Sequence, residues 1–263
     1  MTELPEVVGR FLDTEVSRRV SVLALDYDGT LAPFHVERDQ ALLPPRTRAL
    51  LDALAQEPHT RLVIVSGRPV EELARVGAFG PGVELWGGHG WEHLDAADQL
   101  ERFEVEADLA SVIASEFARL ATEVDSQHLE RKHASIAVHW RGLDETEAST
   151  LETSVRGQWQ QLAALHPLQA RGFDGGVELR VTGRDKGSVM QSLLANGNES
   201  LLYVGDDDTD EDAFRALVDQ QHALSIRVVD EQYEGTTAAA VTMSHLTLLN
   251  VLDGWLEATR RAR

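Results

Sequence analysis

Residues 18–30 read RRVSVLALDYDGT: two arginines, a nearly unbroken apolar run from Val20 to Leu25, then Asp26, Asp28 and Gly29. A short apolar run closed by turn residues predicts a strand buried on both faces, as in parallel sheets. Side chains alternate along extended backbone, so Asp26 and Asp28 fall on one side, just past the carboxyl end of that strand. In open α/β sheets this edge is where ligands bind.

Working outward, 47–58 (TRALLDALAQEP) has helical periodicity, and 60–69 (TRLVIVSGRP) is a second strand closed by Ser-Gly and Pro. Residues 70–80 predict a helix ended by Gly80, and 83–94 (VELWGGHGWEHL) a short strand leading into a glycine turn. Strands alternating with helices predict βαβ units and right-handed crossovers. From residue 103 the pattern changes to helix, strand pair, helix, strand pair: 104–124, then 127–132 with 135–141, then 144–165, then 168–173 with 176–181 across Asp174-Gly-Gly. After residue 183 the first pattern returns, with a helix in 183–197, strands ending in GDDDTDED and in VVD, and a C-terminal helix with cationic residues in its last turn, where the dipole favours them. The expectation is a doubly wound, parallel-sheet α/β core of Rossmann-like form in two parts, 1–102 and 184–263, with an α+β unit inserted at 103–183.

A net charge of −20 over 263 residues argues against a nucleic-acid partner, which needs a basic face. No run approaches the roughly 20 apolar residues of a membrane span, and the polar, amphipathic start lacks the form of a secretion signal. Zero cysteines exclude disulfides and thiolate metal sites and suit the cytoplasm. With no patterned exposed apolar helix or strand edge, a monomer is expected.

Lysine is nearly absent: of 24 basic side chains only Lys132 and Lys186 are lysines. Lys186 opens a predicted helix in GRDKGS, where backbone N–H groups already favour an anion. In VGDDDTDEDAF a second apolar strand ends in crowded acids; helix capping accounts for Asp210, Glu211 or Asp212 but hardly for Asp206 and Asp207 as well. Carboxylates this dense repel one another unless a cation sits among them, and an all-oxygen set suits Mg²⁺. Ser66 ends a further strand as a hydroxyl donor, with Gly67 allowing close approach. Together these are the parts for moving a phosphoryl group through an aspartyl-phosphate: Asp26 and Asp28 as nucleophile and proton carrier, Mg²⁺ and Lys186 offsetting charge, Ser66 orienting the oxygens. His89 and His93 stand four apart, but Gly90 between them argues against a helical zinc pair. The glycines around His89 instead form a turn that brings the loop toward a ligand.

DYDGT, Ser66, Lys186 and GDDDTD, in this order, resemble the four motifs of the haloacid dehalogenase-like phosphatases. The resemblance implies Asp26 as nucleophile, Asp28 as acid/base, and Mg²⁺ held by Asp26, the Asp28 carbonyl and Asp206, with Asp207 and Asp210 beside them. It also makes the insertion a cap domain of the type found in sugar phosphatases. LDYDGTLAP, SGRP, GGHGWE, LERKHASIAVHWR, VELR, GRDKG and VGDDDTDEDAF further resemble the trehalose-6-phosphate phosphatases. That narrower resemblance implies a sugar-phosphate substrate gripped by Glu130, Lys132, Arg141 and Glu178, with Gly67, Arg68 and His89 as further binding residues. Two departures touch the sugar rather than the reaction: Val181 stands where the family often has proline, and QARGFDGG lacks the basic or amide side chains of some relatives. Alternatives are a phosphatase for sucrose phosphate or a glycosyl-3-phosphoglycerate, a sugar phosphomutase, or a non-catalytic phosphosugar-binding subunit. An intact nucleophile and acid/base pair argues against the last.

Overall fold

The computed structural model describes residues 4–17, 20–35, 37–173, 175–195, 197, 199–230 and 232–261. The chain divides into two compact units, one of residues up to Glu101 together with Asp185 onward, the other Arg102–Arg184.

The first unit begins with α1 (Glu6–Phe11), which continues as a wider turn over Leu12–Val16. Then come β1 (Ser21–Asp26), α2 (Pro45–Leu54), β2 (Thr60–Val65), α3 (Val70–Gly77), β3 (Glu84–Gly87), β4 (Glu92–Leu94) and β5 (Leu100–Arg102). The second unit supplies α4 (Ala107–Leu120), β6 (Leu129–Arg131), β7 (Ser135–His139), α5 (Glu145–Leu165), β8 (Leu168–Phe173) and β9 (Gly176–Val181). The chain returns to the first unit with α6 (Lys186–Leu194), β10 (Ser200–Gly205), α7 (Glu211–Leu217), β11 (Ala223–Val228), β12 (Val241–Met243) and α8 (His245–Arg261).

The first unit's sheet runs β12-β11-β10-β1-β2-β3-β4-β5. β1 pairs in parallel with both β10 and β2, in registers from Ser21↔Ser200 and Ser21↔Thr60, and all six of its residues are buried. Because it is covered on both faces, the strand reads as a continuous apolar run. Leu23, Leu25, Leu62, Ile64, Leu202 and Val204 form one face of the core with α1, α2, α3 and α8, while α6 and α7 lie on the other side. The architecture is the expected doubly wound α/β fold. One strand departs from expectation: β4 turns back antiparallel on β3, pairing Leu85 with Leu94, so the sheet is not wholly parallel. Gly88, His89 and Gly90 all have positive φ, and three such residues in a row reverse the chain sharply.

The second unit is a four-stranded sheet, β6-β7-β9-β8, paired antiparallel throughout. Ile136, Val138, Val177 and Leu179 are wholly buried at alternate positions, and α4 and α5 supply Leu109, Ile113, Val155 and Trp159 to the interior. Trp159 Nε1 donates to Glu116 Oε1 at 2.8 Å, which satisfies a buried indole. Asp144 begins α5 with a capping box closed by Glu147. The Asp174 turn lies outside the described residues. Among the described residues no helix is long and apolar enough to cross a membrane.

Candidate active site

Three adjacent parallel strands end together. Asp26 closes β1, Ser66 follows β2 and Asp206 follows β10, with Asp26 in register with Val65. The point lies where connections diverge to β2 on one side and arrive from β10 on the other, the usual place for a ligand in an open α/β sheet.

Lys186 joins these strand ends. Its Nζ donates to Asp26 Oδ1 at 2.7 Å and to Asp210 Oδ1 at 2.6 Å, and the residue is 3% exposed. Asp185 caps α6, its side chain accepting from Ser188 N at 2.8 Å, which fixes Lys186 as the first helical residue. Asp210 is enclosed: Oδ1 also accepts from Tyr203 Oη, and Oδ2 accepts from the amides of Asp206 at 2.9 Å and Asp207 at 3.0 Å. Thr30 Oγ1 donates to Asp206 Oδ1 at 2.7 Å. Gly29 has φ +82°, and a Cβ there would stand 2.2 Å from Asp206 Oδ2, so the DYDGT turn closes on the acids only with glycine at this position.

Asp26, Asp206 and Asp210 each offer an oxygen within 4.8 Å of the others. Burial raises the Asp26 carboxyl well above the aspartate range, opposed by the Lys186 ammonium and reinforced by Asp210 and Asp206. Burial likewise raises Asp206, helped by the charges of Asp210 and Asp207. For Lys186, burial works against the ammonium, but the Asp210 and Asp26 carboxylates outweigh it and raise its pKa. Three carboxylates around one ammonium leave negative charge in a dry place, which is costly without a further cation. The donors are all hard oxygens, a set that fits a divalent cation of the Mg²⁺ kind.

The acid run divides its labour. Asp207 Oδ1 accepts from both Thr209 N and Thr209 Oγ1 at 2.7 Å; despite burial, Lys186 and these bonds hold Asp207 at about 2. Its side chain thus closes the loop and lies outside the three-carboxylate group. Arg227, at the end of β11, donates to the Asp206 carbonyl at 3.0 Å, to Glu211 Oε1 at 2.8 Å and to Asp208 Oδ1 at 3.2 Å. The Asp28 side chain is also outside the group: Arg68 Nε donates to its Oδ2 at 2.7 Å and Arg68 Nη2 to its Oδ1 at 2.6 Å. Ser66 is buried, and its Oγ accepts from Arg68 N at 3.1 Å. The His89 ring packs against Gly67, 2.5 Å from where a Cβ would stand.

In the second unit, the register Glu130↔Ala137↔Glu178 sets the two glutamates in one row across β6, β7 and β9. Glu178, 1% exposed, accepts from Lys132 Nζ at 2.9 Å, Ser135 Oγ at 2.6 Å and Arg180 Nε at 2.8 Å. Glu130 Oε2 lies 3.1 Å from His139 Nε2 and 4.0 Å from Lys132 Nζ. Arg141, in the turn after β7, packs against Gly175 in the turn between β8 and β9.

Thr30, Tyr203, Arg227, Ser135 and Arg180 were not singled out by sequence. Tyr203 had a readable signal: a phenol in the middle of the buried strand SLLYVG needs a partner for its hydroxyl.

A doubly wound core with acids at its strand ends and an α+β insertion defines the haloacid dehalogenase-like hydrolase class. A haloacid dehalogenase-like hydrolase from Bacteroides thetaiotaomicron superposes with a TM-score of 0.62 over 92% of this chain and 99% of that one, at 19% identity. The C-terminal domain of C. albicans trehalose-6-phosphate phosphatase superposes with a TM-score of 0.81 over 98% of both chains, also at 19% identity. Sequence narrows the class: residues 24–245 match the trehalose-phosphatase family. The chain is 31% identical over 255 residues to probable trehalose-phosphate phosphatase H of Arabidopsis thaliana, covering 87% of this chain and 70% of that one. The chain belongs to the trehalose-phosphatase family, and with it to the phosphatase hydrolases. Against the first two plant relatives, it spans 70% and 65% of their length.

Proposed function

We propose that the protein hydrolyses trehalose 6-phosphate to trehalose and phosphate with Mg²⁺, through an aspartyl-phosphate on Asp26. The observation that carries this reading is the bridge made by Lys186, 2.7 Å from Asp26 and 2.6 Å from Asp210, at the carboxyl edge of the sheet. Asp26, Asp206 and Asp210, with the Asp28 carbonyl, would hold the metal, whose charge would offset that of the phosphoryl oxygens.

An Asp26 carboxylate oxygen attacks phosphorus and the bond to the sugar oxygen breaks, while Asp28 gives that oxygen its proton. Water then attacks phosphorus, Asp28 takes its proton, and the Asp26–phosphate bond breaks to restore the carboxylate. Lys186 holds Asp26 in line and neutralises a phosphoryl oxygen; Ser66 donates to another. A compact ammonium reaches two carboxylates and a phosphoryl oxygen at once, where a planar guanidinium favours a two-pronged partner. In the second unit, Glu130, Lys132 and Glu178 would supply acceptors and a donor to sugar hydroxyls, with Arg141 as a further contact and Gly67 and His89 lining the approach to the phosphate. We take the protein to be cytoplasmic, in keeping with a cysteine-free sequence, and monomeric.

The test is phosphate release, with Mg²⁺ and with EDTA, from trehalose 6-phosphate, glucose 6-phosphate, sucrose 6-phosphate and glucosyl-3-phosphoglycerate, with Asp26→Asn as the blank. Metal-dependent release selective for trehalose 6-phosphate, abolished in a folded Asp26→Asn, is expected. Preference for another substrate would replace the sugar assignment, and release by Asp26→Asn would remove the nucleophile.

A further inference from the structure

Arg68 is 5% exposed, and all three of its guanidinium nitrogens are engaged by the chain itself. Nε and Nη2 form a two-pronged fork on the Asp28 carboxylate at 2.7 and 2.6 Å, and Nη1 pairs with Glu72 in the first turn of α3. Glu72 also accepts from Arg38 Nη2 at 3.1 Å. The Arg68 backbone is fixed as well: its N–H donates to Ser66 Oγ at 3.1 Å and its carbonyl accepts from Gly88 N at 2.8 Å. An arginine that grips an anionic ligand turns its fork toward the ligand. This one turns both prongs onto a side chain 40 residues away in sequence, and so ties that side chain to a helix.

We infer that Arg68 is a positioning residue for Asp28 and not a contact of the substrate. The fork sets where the Asp28 carboxylate stands at the end of β1, and Glu72 braces the fork. The inference rests on the reading above, in which Asp28 passes a proton to the departing sugar oxygen. Proton transfer needs the donor within hydrogen-bond reach of the oxygen, and a two-bond side chain without its fork samples other rotamers. Arg68 therefore acts on both proton transfers of Asp28, and its removal discriminates between substrates only in the first, where a sugar oxygen needs a proton and an aryl oxygen does not.

The test compares trehalose 6-phosphate, whose sugar oxygen needs a proton to leave, with p-nitrophenyl phosphate, whose phenolate leaves without protonation. Single-turnover rates of trehalose and nitrophenolate release, which precede hydrolysis of the aspartyl-phosphate common to both substrates, and the KM of that release are measured with Mg²⁺ for the full chain as wild type, Arg68→Met, Arg68→Lys, Glu72→Gln and Asp28→Asn. Expected for Arg68→Met is a loss of about 10- to 100-fold in the rate of trehalose release, a fraction of what a general acid supplies, with nitrophenolate release and both KM values little changed. Arg68→Lys should restore part of the loss, Glu72→Gln should show the same selectivity on a smaller scale, and Asp28→Asn should exaggerate it. A raised KM with an unchanged ratio of the two substrates would make Arg68 a substrate contact and overturn the inference. Equal losses on both substrates with a lowered Tm would make it merely structural and also overturn it. If Arg68→Met does not fold, the lysine and Glu72 variants carry the same ratio. An unselective Asp28→Asn would topple the acid/base reading, and the inference with it; a selective Asp28→Asn beside unselective Arg68 and Glu72 variants would topple the inference alone.

Discussion

Both lysines lie between carboxylates, Lys186 buried in the first unit and Lys132 partly buried in the second, yet their surroundings carry different balances. Around Lys186 stand Asp26, Asp206 and Asp210, and the charge is left negative. Around Lys132 stand Glu130 and Glu178, but Arg180 shares Glu178, so two cations meet two carboxylates. An unbalanced dry cluster calls for another cation and can bind an anion through it. A balanced one offers donors and acceptors without net charge, which suits hydroxyl groups. On the function proposed above, the same residue type would serve phosphate chemistry in one unit and the grip of a neutral sugar in the other.

The sharpest way to break this contrast is to make the same substitution in both places. Lys186→Arg should lower kcat about 10²- to 10³-fold, the usual consequence of losing one preorganised charge donor, because a guanidinium cannot take the ammonium's place between Asp26 and Asp210. Lys132→Arg should chiefly raise KM, by about tenfold. Steady-state kinetics on trehalose 6-phosphate with circular dichroism as a folding check decides it; equal effects would mean the two clusters do one job.

Metal linkage comes next. Mg²⁺ at about 100 times its Kd should stabilise the wild type by about 2.7 kcal/mol, a rise in Tm of about 5–10 °C for a chain of this size. Asp206→Asn should lose most of that rise and Glu130→Gln none of it, as followed by calorimetry.

The smallest effect is a pH dependence in metal-free protein. Asp26 has a folded-state pKa raised by burial, so the folded chain binds more protons than the unfolded one and ionisation disfavours folding. Metal-free wild type and Asp26→Asn should therefore differ least below the ordinary aspartate value of about 4. Above it, the wild type should become progressively the less stable as pH rises toward the folded-state value. Urea midpoints across pH 4–8 in EDTA test the sign; a wild type that gains on the variant as pH rises would mean the cluster is already balanced.

Much of this was legible before any coordinates. The apolar runs ending at Asp26, Val65 and Gly205 name three buried strands, and the acids and lysine behind them are the residues from which the proposed phosphoryl site is built. What sequence did not expose depends on long-range register. Arg68 meets Asp28 and Thr30 meets Asp206 only once β1 lies beside β2 and β10. Ser135 and Arg180 join Glu178 only through the antiparallel pairing of β7 with β9. The β3–β4 hairpin was hidden because a single apolar run with a glycine turn does not say on which partner it closes. Within GDDDTDED, the separate tasks of Asp206, Asp207 and Glu211 followed from their partners, not from their spacing.

The pairing of Ser21 with Ser200 has a consequence for how the chain is made. The inserted unit is one continuous stretch and can close as soon as it has left the ribosome, whereas β1 must wait for β10. At a synthesis rate of about 5–20 residues per second, that wait is on the order of ten seconds or more. Throughout it β1, buried along its whole length in the folded protein, presents an open edge, the kind of surface that pairs with other chains. The nascent protein thus carries an aggregation-prone edge while the proposed nucleophile, Asp26, is already synthesised and the loop bearing Asp206 and Asp210 is not.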